Sequence, residues 1–365
     1  MKVSSVATIE SGHAYRGSRG SHVREQWTSK LDFLLSCLGF AVGLGNVWRF
    51  PYLAYSNGGG AFFIPYFTML IFVGIPIFLM ESVIGQFSSS GPTTCWDFCR
   101  IIEGCGYAMI FVTFLTCIFY NMIIAWAFFY IFISLTPEVP WYHCGDWSTP
   151  CRTFSGSPLP NGLCNSKESN GTVWLWNTTL AQANGIYVNF PAKEYFERRV
   201  LGATEGYDIS NIGPMRLDLV LCLILAWLLV LLCLAKGIKI TGKIVYITST
   251  MPYLMLFILL FRGLYLDGAL EGIMYYISPN ITAIKSPRIW KDAAVQIFFS
   301  LSSSYGGLIT LSSYNKFHND ILSDSIFVCI GNSLTSIFAG FVVFSFLGFL
   351  ARDLNTPISN VAASG

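Results

Sequence analysis

From Phe50 to Met80 the chain runs 31 residues without one charged side chain, a stretch that a water-soluble domain has no surface to spend on. A hydrocarbon core about 30 Å thick is crossed by roughly 20 apolar residues rising about 1.5 Å each. Thirty-one is too many for one crossing, so the run reads as parts of two helices joined at the turn-prone Ser56-Asn57-Gly58-Gly59-Gly60. The same test finds the rest. Residues 33–48 complete the first span across Arg49, and Gly104 to Pro137 gives a third. Leu219 to Ala235, Ile244 to Phe261, Ala293 to Asn315 and Ser325 to Ala351 give four more, for an all-α integral membrane protein of seven crossings. Charged residues are 12% of the chain, against about 25% in soluble domains. With 22 Lys and Arg against 20 Asp and Glu, no basic surface exists to neutralise phosphates, which excludes nucleic acid as a partner.

Basic loops orient the spans, because Lys and Arg resist translocation. Lys2, Arg16, Arg19, Arg24 and Lys30 precede the first span, and Lys236, Lys239 and Lys243 lie between the fourth and fifth. Crossing parity puts both groups on one side, taken as cytoplasmic. The Asn-X-Ser/Thr sequons at Asn170, Asn177 and Asn280 then fall on the opposite, glycosylated side. The expected layout is a cytoplasmic tail over 1–30, helices one to three over 31–136 and an extracellular loop over 137–214. Helices four and five over 215–262 follow, then an extracellular loop over 263–292, helices six and seven over 293–351, and the start of a further outer loop over 352–365. In the large outer segment Cys144 and Cys151 are the expected disulfide, with Cys164 beside them. Cys37, Cys117, Cys222, Cys233 and Cys329 lie within spans and read as small packing residues.

Two spans are interrupted. The first holds Gly43, Gly45, Asn46 and Arg49 in one short stretch, and the sixth holds Ser300-Leu301-Ser302-Ser303-Ser304-Tyr305-Gly306-Gly307. Each Gly costs about 1 kcal/mol of helix propensity, and unwound backbone at membrane depth survives only where it is buried in protein or lines a watery cavity. Close helix packing through Gly43 and Gly45 is the plainer reading of the first break alone. Two breaks five spans apart are instead the pattern of inverted-repeat transporters, in which freed carbonyls hold cations and half-helix N-termini receive anionic groups. Arg49 and Glu81 are embedded charges, costly at that depth and expected to face a cavity or a partner.

Gly39 to Tyr66, reading GFAVGLGNVWRFPYLAYSNGGGAFFIPY, resembles the first-helix signature of the neurotransmitter:sodium symporter family. Arg24-Glu25-Gln26-Trp27, Gly85-Gln86, Phe119-Tyr120-Asn121 and Gln296 to Leu301 extend the resemblance over residues 24–365, and Gly307 to Asn319 is most similar to the glycine-transporter branch. The resemblance implies an inverted-repeat sodium symporter fold with broken helices 1 and 6, here truncated after the seventh of twelve spans, and residence in the plasma membrane. It implies a small amino-acid substrate, with sodium and chloride as coupled ions, membrane lipid around it and room for homo- or hetero-oligomers. Gly43 stands where amine carriers place Asp, leaving space for a substrate that brings its own carboxylate. By the resemblance, Gly43, Leu44, Gly45 and Tyr120 receive that carboxylate, while Phe299, Ser302, Tyr305 and Gly306 line the remainder of the pocket. Branch members commonly carry Trp at the position of Tyr305 and Ala at those of Ser303 and Ser304.

The implied sodium ligands are the Ala41 carbonyl, Asn46, Ser300 and Asn332 for one ion, with the Gly39 and Val42 carbonyls contributing to a second. The implied chloride donors are Tyr66, Gln296, Ser300, Asn332 and Ser336, where chloride-independent relatives bring a carboxylate. Arg49 outside, and Arg24 with Trp27 inside, are the implied gates. A glycine carrier is therefore the expected parent function, with a carrier of another neutral amino acid and a truncated, non-transporting partner as the alternatives. A seven-helix receptor fails on orientation. An intramembrane serine hydrolase fails because His13, His22, His143 and His318 all lie in tails or loops, out of reach of a span serine; the chain is not expected to be an enzyme. A channel would be told apart by conduction that needs no amino acid.

Overall fold

The computed structural model describes residues 25–142, 164–168, 172–176, 192, 195–202, 215–235, 237–353 and 358. The first span is α1 (Lys30–Ala41) and, after a single π turn over Gly45–Arg49, α2 (Phe50–Ser56). The two halves meet at a 52° bend. Ser29 starts α1 through a capping box, its hydroxyl taking the Asp32 amide while the Asp32 carboxylate takes the Ser29 amide. The second span covers Gly60–Ser88, with α3 (Phe63–Met69) and α4 (Ile75–Ser88) joined by a π turn. It is followed by α5 (Gly104–Ile133), α6 (Leu217–Leu234) and α7 (Ile238–Leu264).

A short helix, α8 (Ala269–Ile277), leads to the sixth span, α9 (Pro287–Ser300) and α10 (Gly307–Ser312). The last, α11 (Ile321–Asp353), is the spine of the bundle: Asn332 and Ser336 are fully buried on it, and Gly348 meets Gly268 and Gly272 of the α8 segment backbone to backbone. Small residues allow that approach in a membrane, where packing replaces the hydrophobic drive. Among the described residues five helices are long and apolar enough to cross a bilayer unaided, and the bent α1–α2 pair makes a sixth. The remaining expected crossing, the sixth, is split between α9 and α10 by six residues, which is why neither half qualifies alone.

Among the described residues one pair of strands accompanies the helices. Strands β1 (Cys164–Glu168) and β2 (Thr172–Trp176) pair antiparallel, with Ser166 opposite Trp174. Asn170, between the two strands in sequence, falls outside the described residues together with Asn177, Cys144, Cys151 and Arg24. Asn280 is described and exposed, its Oδ1 accepting from the Thr282 hydroxyl at 2.5 Å. Cys37, Cys222 and Cys329 are buried as expected of packing residues and Cys233 is half-buried, but Cys117 is exposed. The reason is its helix, since α5 packs along α6 and leaves most of its surface outward.

Candidate functional site

The two breaks face each other at the centre of the bundle. Helix α1 ends at Ala41, and the Val42 amide still reaches back to the Leu38 carbonyl at 2.7 Å. The next amide in line does not continue the ladder: Gly43 donates instead to the Asn46 side-chain Oδ1 at 2.9 Å. An Asn three residues on thus substitutes for the helix and leaves the Gly39, Ala41 and Val42 region with carbonyls released from α-helical pairing. A Cβ on Gly43 would stand 3.0 Å from the Tyr120 hydroxyl, which also accepts weakly from the Leu44 amide at 3.5 Å. Gly43, Leu44 and Tyr120 are brought together as the sequence suggests, and nothing bulkier than Gly leaves that hydroxyl room.

The second break is held from three sides. Ser302 and Ser304 adopt positive φ, at 51° and 70°, a region a β-carbon disfavours. Each strained turn has an anchor on a different span. The Ser302 hydroxyl donates to the Phe40 carbonyl at 3.2 Å, the Ser304 amide to Glu81 Oε1 at 2.6 Å, and the Thr113 hydroxyl to the Tyr305 carbonyl at 2.7 Å. Glu81, only 2% exposed, is legible in the sequence as an embedded charge; that it caps the break is not. Thr113 carries no sequence signal at all, being one more polar residue in an apolar helix. Gly306, at φ 74°, completes the turn where a β-carbon would press on Pro92.

Between the breaks and α11 lies a closed polar cluster. Asn46, Ser300, Asn332, Ser336, Gln296 and Tyr66 are each no more than 2% exposed. Asn46 Nδ2 has four oxygens around it: Asn332 Oδ1 at 2.7 Å, Ser336 Oγ at 2.8 Å, Ser300 Oγ at 3.2 Å and the Asn332 carbonyl at 3.3 Å. Two N–H groups cannot satisfy four acceptors, so the cluster has oxygen to spare for a cation. A buried, all-neutral oxygen set suits a hard monovalent ion, and among the described residues no group of three His, Cys, Asp or Glu offers a different metal site. On the other flank Asn332 Nδ2 donates to Ser300 Oγ at 2.7 Å and Gln296 Nε2 makes only a long bond to the Gly45 carbonyl at 3.4 Å. Gln296 Oε1 is buried without a partner among the described residues. The Tyr66 hydroxyl turns to Ser333 at 3.2 Å, a neighbour that no sequence signal marks.

Arg49 and Trp27, the expected gates among the described residues, lie in different parts of the bundle. The Arg49 guanidinium sits 4.2 Å from the centre of the Phe299 ring, an attraction worth about 0.5–2 kcal/mol depending on solvation. Trp27, 7% exposed, donates its indole N–H to the Leu311 carbonyl at 2.9 Å and its amide to the Tyr314 carbonyl at 3.0 Å. The same region is tied by Lys30 to Asp324 at 2.8 Å, and by Gln86, which holds the Phe317 and Asn319 carbonyls and the Asn315 amide. A cavity of about 280 Å³ lies on the other face of α1, lined by Gly39, Phe40 and Val42 with Thr248, Ser249, Pro252 and Tyr253 of α7. Its lining includes Gly39 and Val42, the residues of the implied second sodium site, and does not include Tyr120.

The model of the sodium:neurotransmitter symporter family matches residues 24–365, nearly the whole chain. The chain belongs to that family. It is 48% identical over 357 residues to the sodium- and chloride-dependent glycine transporter 2 of Xenopus laevis, a match covering 94% of this chain and 45% of the relative. It is also 48% identical over 349 residues to the sodium- and chloride-dependent GABA transporter 2 of Bos taurus, covering 95% of this chain and 54% of the relative. The GABA transporter 2 of Rattus norvegicus follows at 46% over the same length and shares. The chain therefore spans about half the length of the curated relatives it matches. As a member of the family it is a multi-pass membrane protein.

Proposed function

We propose that this chain supplies the substrate and ion sites of a sodium- and chloride-coupled symporter for a small neutral amino acid, with glycine favoured, working by alternating access. The observation that carries the reading is that the two breaks meet where the Ser302 hydroxyl bonds the Phe40 carbonyl, while Gly43 faces the Tyr120 hydroxyl and Asn46 of the first break is tied to Ser300 and Asn332. The substrate carboxylate would lie against the Gly43–Gly45 backbone and the Tyr120 hydroxyl, with Phe299, Ser302, Tyr305 and Gly306 closing the other end. Sodium would take the Ala41 carbonyl, Asn46, Ser300 and Asn332, sharing the substrate carboxylate; a second ion would use Gly39 and Val42. Chloride would be held by Tyr66, Gln296, Ser300, Asn332 and Ser336, offsetting the cation charge in a cluster that has no carboxylate of its own. The half-satisfied Gln296 amide supports this.

Sodium moving inward gains about 2.3 kcal/mol per charge per 100 mV, which concentrates the amino acid. Arg49 over Phe299 would close the cavity from outside, and Trp27, with Arg24, from inside. The N-terminus is cytoplasmic in this reading, and Asn280, on the far side of the bundle from Lys30, is extracellular at the plasma membrane. Since curated relatives named for glycine and for GABA are equally similar, the preference for glycine rests on the likeness of Gly307 to Asn319 to the glycine-transporter branch.

The test is uptake of radiolabelled glycine and GABA by cells expressing this chain, beside a chimera that continues past Gly365 with the corresponding part of a relative. Sodium and chloride are replaced in turn. Glycine uptake that needs both ions supports the reading, and GABA uptake without glycine uptake replaces the substrate. Uptake of neither, with surface expression verified, overturns it.

A further inference from the structure

The oxygen of Tyr66 is held in place by its own ring. The side chain is fully buried, with the Phe50 ring edge-on at 4.9 Å and the Phe62 ring at 6.1 Å, and a core packed that closely leaves the ring no room to swing. What stays free is the proton, because a phenol has one O–H to donate and turns it toward the acceptor at hand. That proton goes to Ser333 Oγ at 3.2 Å. The Ser300 and Ser336 hydroxyls interact with the same Tyr66 oxygen, and both belong to the cluster around Asn46, whose Nδ2 they meet at 3.2 and 2.8 Å.

Ser333 is a different kind of neighbour. It follows Asn332 on α11, about 100° around the helix from it, and is buried like the cluster itself. Its own hydroxyl donates to the Cys329 carbonyl one turn back at 3.0 Å. Ser333 is therefore spent as a donor and meets Tyr66 only as an acceptor. An anion asks for the reverse, O–H and N–H groups turned toward it. The single Tyr66 proton cannot serve Ser333 and an anion at the same time.

We propose that Ser333 is the resting partner of the Tyr66 proton and thereby sets the chloride affinity of the cluster. This rests on the chloride site of the proposed function and adds to it a residue that does not touch the ion. Without the anion, Tyr66 donates to Ser333; when the anion arrives, the proton turns to it and Ser333 keeps its bond to Cys329. A ligand that has to displace an existing bond binds more weakly by the net worth of that bond, about fivefold for one ordinary hydrogen bond. Ser333 is thus a positioning residue, acting through Tyr66. A coupled ion must leave in every cycle, and a built-in competitor for one of its donors limits how tightly it is held.

The test uses the chimera of the uptake experiment, with chloride titrated against gluconate and two readouts: amino-acid uptake in cells, and melting of the purified protein in detergent. Ser333→Ala removes the acceptor, and Ser333→Cys fills the same space with a weak one. Both variants are expected to lower the half-saturating chloride concentration about fivefold. Both should melt below the parent in gluconate, where Tyr66 has lost its partner, and close to the parent in saturating chloride. In a Tyr66→Phe background, Ser333→Ala should shift neither readout, because the coupling runs through the missing proton. A half-saturating chloride that stays the same or rises in both variants overturns the proposal. So does a melting loss that is equal in gluconate and chloride, which is what a purely structural Ser333 would give. A parent that ignores chloride in both readouts removes the chloride site, and the role of Ser333 with it; a chloride-dependent parent with unshifted variants removes the role of Ser333 alone.

Discussion

The Ser304 amide donates to Glu81 Oε1 at 2.6 Å, joining the middle of one broken span to a carboxylate on the second. Without that acceptor a positive-φ serine at membrane depth would carry an unpaired N–H, a cost of about 1–3 kcal/mol. Glu81→Ala is therefore expected to lose most uptake and to lower thermal stability in detergent. Glu81→Gln keeps an oxygen in place and should retain more of both. Equal behaviour of the two variants in uptake and melting would show that the contact does not hold the break.

A β-carbon at residue 43 would lie 3.0 Å from the Tyr120 hydroxyl, so any side chain there competes directly with a substrate carboxylate. Gly43→Asp adds a second negative charge at that point and is expected to abolish amino-acid uptake while surface expression is preserved. Gly43→Ala should raise KM several-fold, since it crowds the hydroxyl without charging the site. Undiminished glycine uptake by Gly43→Asp would remove the carboxylate assignment.

Much of this architecture is legible in the sequence, for physical reasons that differ by residue. Spans are read from charge-free length, and the breaks from Gly and polar residues inside those lengths, because a membrane tolerates neither without compensation. Asn46, Ser300, Asn332 and Ser336 come together as the resemblance implies. What stays hidden depends on which partner a group finds in three dimensions. Glu81 is visible as a charge but its acceptor role needs the path of residues 301–306; Thr113 and Ser333 are ordinary span residues until the helices are packed. The run Ser56 to Gly60 has turn composition, yet its glycines serve close backbone approach to Ile277 and Ser278. Composition cannot distinguish a loose turn from a clamp.

At the Lys30 end, Gln86 is fully satisfied: its Oε1 accepts from Asn315 Nδ2 at 3.1 Å and its Nε2 serves the Phe317 and Asn319 carbonyls at 3.1 and 2.9 Å. Gln86→Leu has similar volume and strands three polar groups, so it is expected to destabilise the loop after α10 by about 2–4 kcal/mol, allowing for partial rescue by water. Limited proteolysis should then cut near Lys316 at lower protease concentration than in the parent. Gln86→Glu, which keeps the acceptor, should fall between the two. Unchanged cleavage in Gln86→Leu would mean that the backbone turn holds the loop unaided.

The oxygen-rich cluster makes the sharpest electrostatic prediction. Ser336 is fully buried beside Asn46 and Asn332, and its hydroxyl is 2.8 Å from Asn46 Nδ2. If chloride supplies the negative charge that a buried sodium requires, a carboxylate fixed at this position should replace it. Ser336→Glu is therefore expected to keep sodium-dependent uptake when chloride is exchanged for gluconate, where the parent loses it. The added volume must be accommodated in a packed core, which costs about 1–3 kcal/mol, so lower expression is expected alongside the changed ion dependence. Ser336→Gln, nearly the same size without the charge, separates the two effects: it should share the expression loss and remain chloride-dependent. Chloride dependence retained by a surface-expressed and active Ser336→Glu would show that the anion does not sit in this cluster.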